Sequence, residues 1–167
     1  MKHNFLLTML LASLFVAGLQ AADACGIEWD DEVTLDTAHT KYVVLKGGSA
    51  VQDDNAASFR IGNPEGVTRP CIQFGDRIYL KMGGNFLGSE DQRGGFAATG
   101  GREKRKDWEV WIVEGGPSGS PVSKSATVFL KSAKFGKYLS AQDDGVSMQA
   151  NRDKVLEWEK FTIKKVK

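Results

Sequence analysis

Few residues in this 167-residue chain have types that do chemistry. Beyond the first 21 positions there is one histidine, His39, and there are two cysteines, Cys25 and Cys71. A zinc site needs several His or Cys ligands at set spacing, and none is present. A Ser-His-Asp or Cys-His apparatus would have to use His39 alone, with no nucleophile placed beside it by motif. Gly116-Pro117-Ser118-Gly119-Ser120 misses G-x-S-x-G because position 120 is Ser. No Walker A or G-x-G-x-x-G pattern occurs, which leaves nucleotides without a claim. The expectation is a chain that is not an enzyme and carries no metal or cofactor, with His39 in a surface loop.

Carboxylate pairs are plentiful: Asp30-Asp31, Asp53-Asp54, Glu90-Asp91 and Asp143-Asp144. Glycoside hydrolysis needs two acids held about 5–10 Å apart across a cleft, and adjacent acids in turns do not show that geometry. The D-x-D-x-D-G calcium loop is also absent. Solvated loop tips are the plain reading. A sharper one starts from the recurrence of Gln52-Asp53-Asp54 as Gln142-Asp143-Asp144 at two loop positions. Arg102, Lys104, Arg105 and Lys106 form the strongest basic run, read as a solvated loop or, more pointedly, as a patch for a polyanion or an acidic protein.

The elements that position these residues begin after an export signal. Lys2 supplies a positive start, Phe5 to Leu19 is apolar apart from Thr8, Ser13 and Gly18, and small residues follow. That order predicts a signal peptide over residues 1–21, cleaved after Ala21, and its apolar core is shorter than a membrane span. A single domain over 22–167 remains. Removing residues 1–21 takes one of the 22 basic residues and leaves the rest balanced against 21 acidic ones. Balanced charge argues against nucleic acid as the principal partner. Export to an oxidising compartment, secreted or periplasmic, predicts that Cys25 and Cys71 are joined rather than free.

Two segments align without a gap at a spacing of 50 residues. Trp108-Glu109 falls on Trp158-Glu159, Trp111 on Phe161, and Arg102 on Arg152. Ile78-Tyr79-Leu80-Lys81 falls on Val128-Phe129-Leu130-Lys131. A weaker copy precedes them through Val33-Thr34-Leu35 and Phe59-Arg60-Ile61. Short aromatic and β-branched runs, separated by Gly47-Gly48, Gly83-Gly84 and Asp144-Gly145, read as strands and turns of an all-β sandwich or barrel. Tyr138, Leu139, Trp158 and Phe161, with Phe86, Trp108 and Trp111, are the expected aromatic and apolar core.

Gly136-Lys137-Tyr138-Leu139-Ser140-Ala141, with Asp144-Gly145, Ala150-Asn151-Arg152 and Trp158-Glu159-Lys160-Phe161, resembles one lobe of a fascin-like β-trefoil domain. The resemblance implies three pseudo-repeated lobes, at about 32–64, 72–115 and 122–167. Trefoil lectins hold sugars in shallow lobe pockets through Asp, Asn or Gln beside an aromatic. It therefore points to Asp143, Asp144, Asn151 and Arg152 as ligand-binding candidates. No ricin-type Gln-x-Trp signature is present. Fascin-like relatives bundle actin, and export argues against actin here.

The expected function is an exported, non-enzymatic binding module that recognises a glycan or an extracytoplasmic protein through its loops. An extracytoplasmic inhibitor or toxin-neutralising partner is the alternative, and a secreted hydrolase ranks below both.

Overall fold

The computed structural model describes residues 25–92, 95–102 and 107–166, with side chains at 25–90 and 107–166. The expected signal peptide lies outside the described residues. Twelve strands follow in order: β1 (Glu32–Thr37), β2 (Tyr42–Lys46), β3 (Ser49–Asp53), β4 (Phe59–Gly62), β5 (Arg77–Met82), β6 (Asn85–Gln92), β7 (Gly95–Arg102), β8 (Trp111–Glu114), β9 (Ser125–Ser132), β10 (Tyr138–Ala141), β11 (Met148–Arg152) and β12 (Phe161–Lys165). A 3-10 turn, Asp107–Glu109, precedes β8.

Six strands close into an antiparallel barrel in the order β1-β12-β9-β8-β5-β4, with β4 pairing back onto β1. The sequence makes this closure possible because each barrel strand alternates. Val33 and Leu35, Phe59 and Ile61, and Ile78 and Leu80 all point inward. So do Trp111 and Val113, Val128 and Leu130, and Phe161 and Ile163. Register sets these side chains opposite one another: Leu35 faces Ile163, Phe161 faces Val128, Val113 faces Leu130, Ile61 faces Leu80, and Ile78 faces Trp111. A barrel this narrow is filled by its own side chains. A one-residue slip would turn every one of them to solvent.

The other six strands are three hairpins, β2–β3, β6–β7 and β10–β11, which all extend from the same end of the barrel. At the opposite end three extended segments interlock. Ile27 N donates to Val122 O, Val122 N to Ile72 O, and Ile72 N to Ile27 O, each at 2.9 Å. All three side chains are buried. Cys25 and Cys71 form a disulfide beside this closure, 46 residues apart in sequence, as the sequence predicts.

The expectation of a β-trefoil with three pseudo-repeated lobes is corrected by this topology. The strands form one closed six-strand barrel with further strands beyond it, and three equivalent lobes are not shown. The segments aligned at 50-residue spacing are unequal: β6 and β7 have eight residues each, whereas β10 has four and β11 five. Trp111 is fully buried and donates Nε1–H to Leu87 O at 2.9 Å. Its aligned partner, Phe161, has no such donor. A recurring pattern of strand and turn residues fixes local preference. Which strands close on one another is decided by long-range register and packing.

Candidate functional site

The turn between β1 and β2 carries His39 and Lys41 at the hairpin end of the barrel. Thr37 shapes it by accepting at Oγ1 from the His39 and Lys41 amides, both at 3.3 Å. Positive φ at Thr40 completes the turn. His39 Nε2 lies 3.2 Å from Ala141 O, at the end of β10. This contact brings the first quarter of the chain against the last.

A second stitch is stronger. Gln52, in β3, is buried and donates from Nε2 to Gln142 O at 2.7 Å and to Ser147 O at 3.2 Å. Its Oε1 accepts from Thr37 Oγ1 at 3.3 Å. The two Gln-Asp-Asp segments therefore meet: the glutamine of one holds the backbone of the other. Lys41 reaches over the same loop, its Nζ 3.7 Å from where a Cβ on Gly145 would stand. Lys41 also pairs with exposed Asp54 at 3.6 Å.

Trp158 lies beside these turns. Its backbone carbonyl accepts from Ala141 N at 2.8 Å. Its ring centroid is 6.4 Å from that of His39, tilted by 52°. The Arg152 guanidinium sits over the indole, 5.2 Å from the centroid, in cation–π range. Buried Glu159 holds the turn behind the ring: Oε2 accepts from Leu156 N at 2.8 Å, and Oε1 is 3.8 Å from Arg152 Nε. The indole is thus only half-buried. The expected core placement is corrected for Trp158, Trp108 and Tyr138, which are all half-buried. Each belongs to a polar or ring contact at the surface instead. Tyr138 donates its hydroxyl to Glu114 Oε2 at 2.6 Å, and Trp108 lies 6.3 Å from Phe135. The Glu114 bond, and then burial, push the Tyr138 hydroxyl up to about 12.

The four ligand-binding candidates are divided between the two ends of the β10–β11 hairpin. Asp143 and Asp144 occupy its tip, while Arg152 is opposite Tyr138 at its base. Asp143 is exposed. Asp144 is engaged in its own turn: Oδ1 accepts from Val146 N at 2.8 Å and Ser147 N at 2.7 Å, and Oδ2 accepts from Ser147 Oγ. The Ser147 hydroxyl, then the Ser147 and Val146 amides, hold this carboxyl below its usual range. Asn151 donates to Gln149 Oε1. Of the basic run, Arg102 ends β7, and Lys104, Arg105 and Lys106 lie outside the described residues. Among the described residues no His, Cys, Asp and Glu group is arranged to hold a metal. No described helix is long and apolar enough to cross a membrane.

Sequence reading missed His39, Lys41 and Gln52 as members of one assembly. The recurring Gln-Asp-Asp was the available signal, but it pointed to sugar hydroxyls rather than to a contact between the two loops.

No family model matches the chain, and no curated protein matches it. Solved structures do. A Caenorhabditis elegans protein of unknown function superposes with a TM-score of 0.71 at 18% identity, over 86% of this chain and 98% of that one. The SDF2-like protein from Arabidopsis thaliana gives 0.66 at 13% identity, over 83% and 94%. The S. cerevisiae protein O-mannosyltransferase Pmt1-Pmt2 complex bound to the sugar donor gives 0.66 at 11% identity, over 84% of this chain and 25% of that one. At these identities the likeness is one of fold alone.

Proposed function

We propose that the chain is an exported, non-enzymatic binding module that takes a glycan at the Trp158 surface. The observation that carries this reading is the half-buried indole backed by Arg152 and flanked by His39, at the seam between the first and last hairpins. A sugar ring packs its C–H face on an aromatic, and its hydroxyls need donors and acceptors at the rim. His39, Lys41 and exposed Asp143 supply both kinds. Export is supported by the pattern of residues 1–21 and by the Cys25–Cys71 disulfide, which suits an oxidising compartment.

The test is a glycan array on the processed protein, followed by calorimetry on the best ligand. Trp158→Ala is expected to abolish binding and Asp143→Asn to weaken it. Asp144→Asn is a poor probe because it alters the turn. Absence of glycan binding, with a protein copurifying at one-to-one ratio, would replace this reading by that of an inhibitor. Binding unchanged by Trp158→Ala would move the site elsewhere.

A further inference from the structure

An open cleft of about 380 Å³ lies away from Trp158, on the outer wall beside β5 and β8. Three rigid segments wall it. The first is the loop after β4, in which Asn63 clamps Val67 from both sides: Nδ2 donates to Val67 O at 2.7 Å and Oδ1 accepts from Val67 N at 3.0 Å. The second is the stretch from Asp107 to Val110. The third is the turn after β9, where Ala133 N donates to Val110 O at 2.9 Å and Phe135 N donates to Ser132 Oγ at 3.2 Å. Ser132 and Ser89 are both buried and share a hydrogen bond of 2.7 Å, and Ser89 Oγ donates to Trp108 O at 3.2 Å. The second and third walls are therefore locked to each other and to the barrel.

Pro64, Val110 and Ala133 give the cleft a smaller apolar part of its lining, and Glu65, Arg77, Asp107 and Lys134 give it both signs of charge. Arg77 and Glu65 pair with each other at 3.4 Å. Asp107 and Lys134 are exposed, and among the described residues neither has an ion-pair partner. One negative and one positive group are thus presented from different walls of a cleft that also exposes aliphatic surface at Val110 and Ala133. The volume falls within the range of small-molecule sites, and preorganised walls lower the ordering cost of binding.

We infer that this cleft binds a small zwitterion, with an ammonium at Asp107, a carboxylate at Lys134, and an aliphatic body over Val110 and Ala133. A free amino acid and the exposed ends of a short peptide share this chemistry. A ligand of either single sign would leave one rim charge unmatched.

The test is a two-dimensional amide NMR titration of the full processed protein with Ala-Ala dipeptide. Two analogues accompany it: N-acetyl-Ala-Ala, which lacks the ammonium, and Ala-Ala amide, which lacks the carboxylate. Alanine is the arm that separates a free amino acid from a peptide. Saturable shifts confined to the amides around residues 65, 107–110 and 133–135 are expected, with each capped form binding at least about tenfold more weakly, the loss of one charge-assisted contact. Lys134→Ala should weaken Ala-Ala tenfold yet leave Ala-Ala amide unchanged. Asp107→Asn should do the converse with N-acetyl-Ala-Ala. Unshifted spectra at 50-residue distance and an unchanged melting temperature would show that the variants fold. No saturable shift, equal binding of the capped forms, or indifference to Lys134→Ala would overturn the inference. A glycan-array result at Trp158 bears on none of these outcomes.

Discussion

Removing the Cys25–Cys71 bond tests how the interlocked end of the barrel is held. The bond closes a loop of 46 residues. In the chain-entropy model, releasing a loop of that length returns about 13.5 cal/mol/K to the unfolded chain, or about 4 kcal/mol at 25 °C. Domains are stable by about 5–15 kcal/mol, so the Cys25→Ala/Cys71→Ala double variant should remain folded but sit close to its limit. Urea denaturation should give a midpoint shift worth about 4 kcal/mol and a larger m-value, because the unlinked unfolded chain exposes more surface. The second half of the experiment asks where the loss arises. Ile27 is fully buried and bonded through its backbone to Val122 and Ile72. Ile27→Ala should cost about 2–5 kcal/mol. If the disulfide acts on the unfolded state, that cost is the same with the bond present or absent. If Ile27→Ala becomes neutral in the disulfide-free background, the N-terminal segment has detached, and the entropic reasoning fails. Hydrogen exchange at the Ile27 and Ile72 amides reads the same distinction directly in variants that retain Ile27.

Gly62→Ala would place a Cβ 1.8 Å from Tyr79 Cε2, driving the ring off β4 and out of its edge contact with Phe86. A loss of about 1–3 kcal/mol is expected, read as a lower melting temperature with an altered near-ultraviolet tyrosine signal. Gln52→Ala should cost about 0.5–1.5 kcal/mol per bond by removing the side-chain donor from the carbonyls of Gln142 and Ser147, which keep only the turn amides of Gly145 and Gln142. Exchange protection should fall first at the Gln142 amide, and unchanged protection would contradict the stitch. Stability should also depend on pH at both extremes. Asp53 is lowered from 3.8 to about 2 by its bonds to Lys46 and Asn55, so its contribution is complete above about pH 4 and is lost as pH falls toward about pH 2. Tyr138 is raised from 10.0 to about 12, so its contribution is complete below about pH 10 and is lost as pH rises toward about pH 12. Asp53→Asn and Tyr138→Phe should each flatten one arm of the melting-temperature profile and leave the other unchanged.

Local chemistry was legible in the sequence, and long-range closure was not. Ile78 to Lys81 and Thr127 to Lys131 are short alternating or apolar runs, and each lies within a barrel strand. Gly47-Gly48 marks a hairpin because both residues take positive φ. The cysteine pair followed from the expected compartment. Strands β8 and β12 begin at Trp111 and Phe161, three residues past the tryptophan of each Trp-Glu pair. A strand assignment from aromatic content does not register that the preceding residues form a compact turn. The ring of six strands depends on β1 meeting both β12 and β4, pairings that no local pattern encodes. The candidate site was half visible. Arg152 and Asp143 stand out by type, but His39 and Lys41 join them only because Gln52 and Ala141 bring distant turns together.

The Trp-Glu pair shows why residue type misled most where it looked most informative. An aromatic beside an acid suggests a buried ring and a solvated carboxylate, yet Glu109 and Glu159 are both buried and both tryptophans are half-buried. For Glu159 the cause is explicit. The chain must turn sharply between β11 and β12, and the Leu156 amide at that turn lacks a strand partner. The carboxylate accepts it at 2.8 Å, at the cost of its own desolvation, which the Arg152 guanidinium 3.8 Å away offsets in part. The same guanidinium lies over the indole, so the ion pair and the cation–π contact share one side chain. The ring remains at the surface because its neighbour, not the ring itself, anchors the turn. A structural requirement of the fold thereby leaves a half-buried indole with a cation against it at the seam of two hairpins, which is the surface proposed above for a glycan.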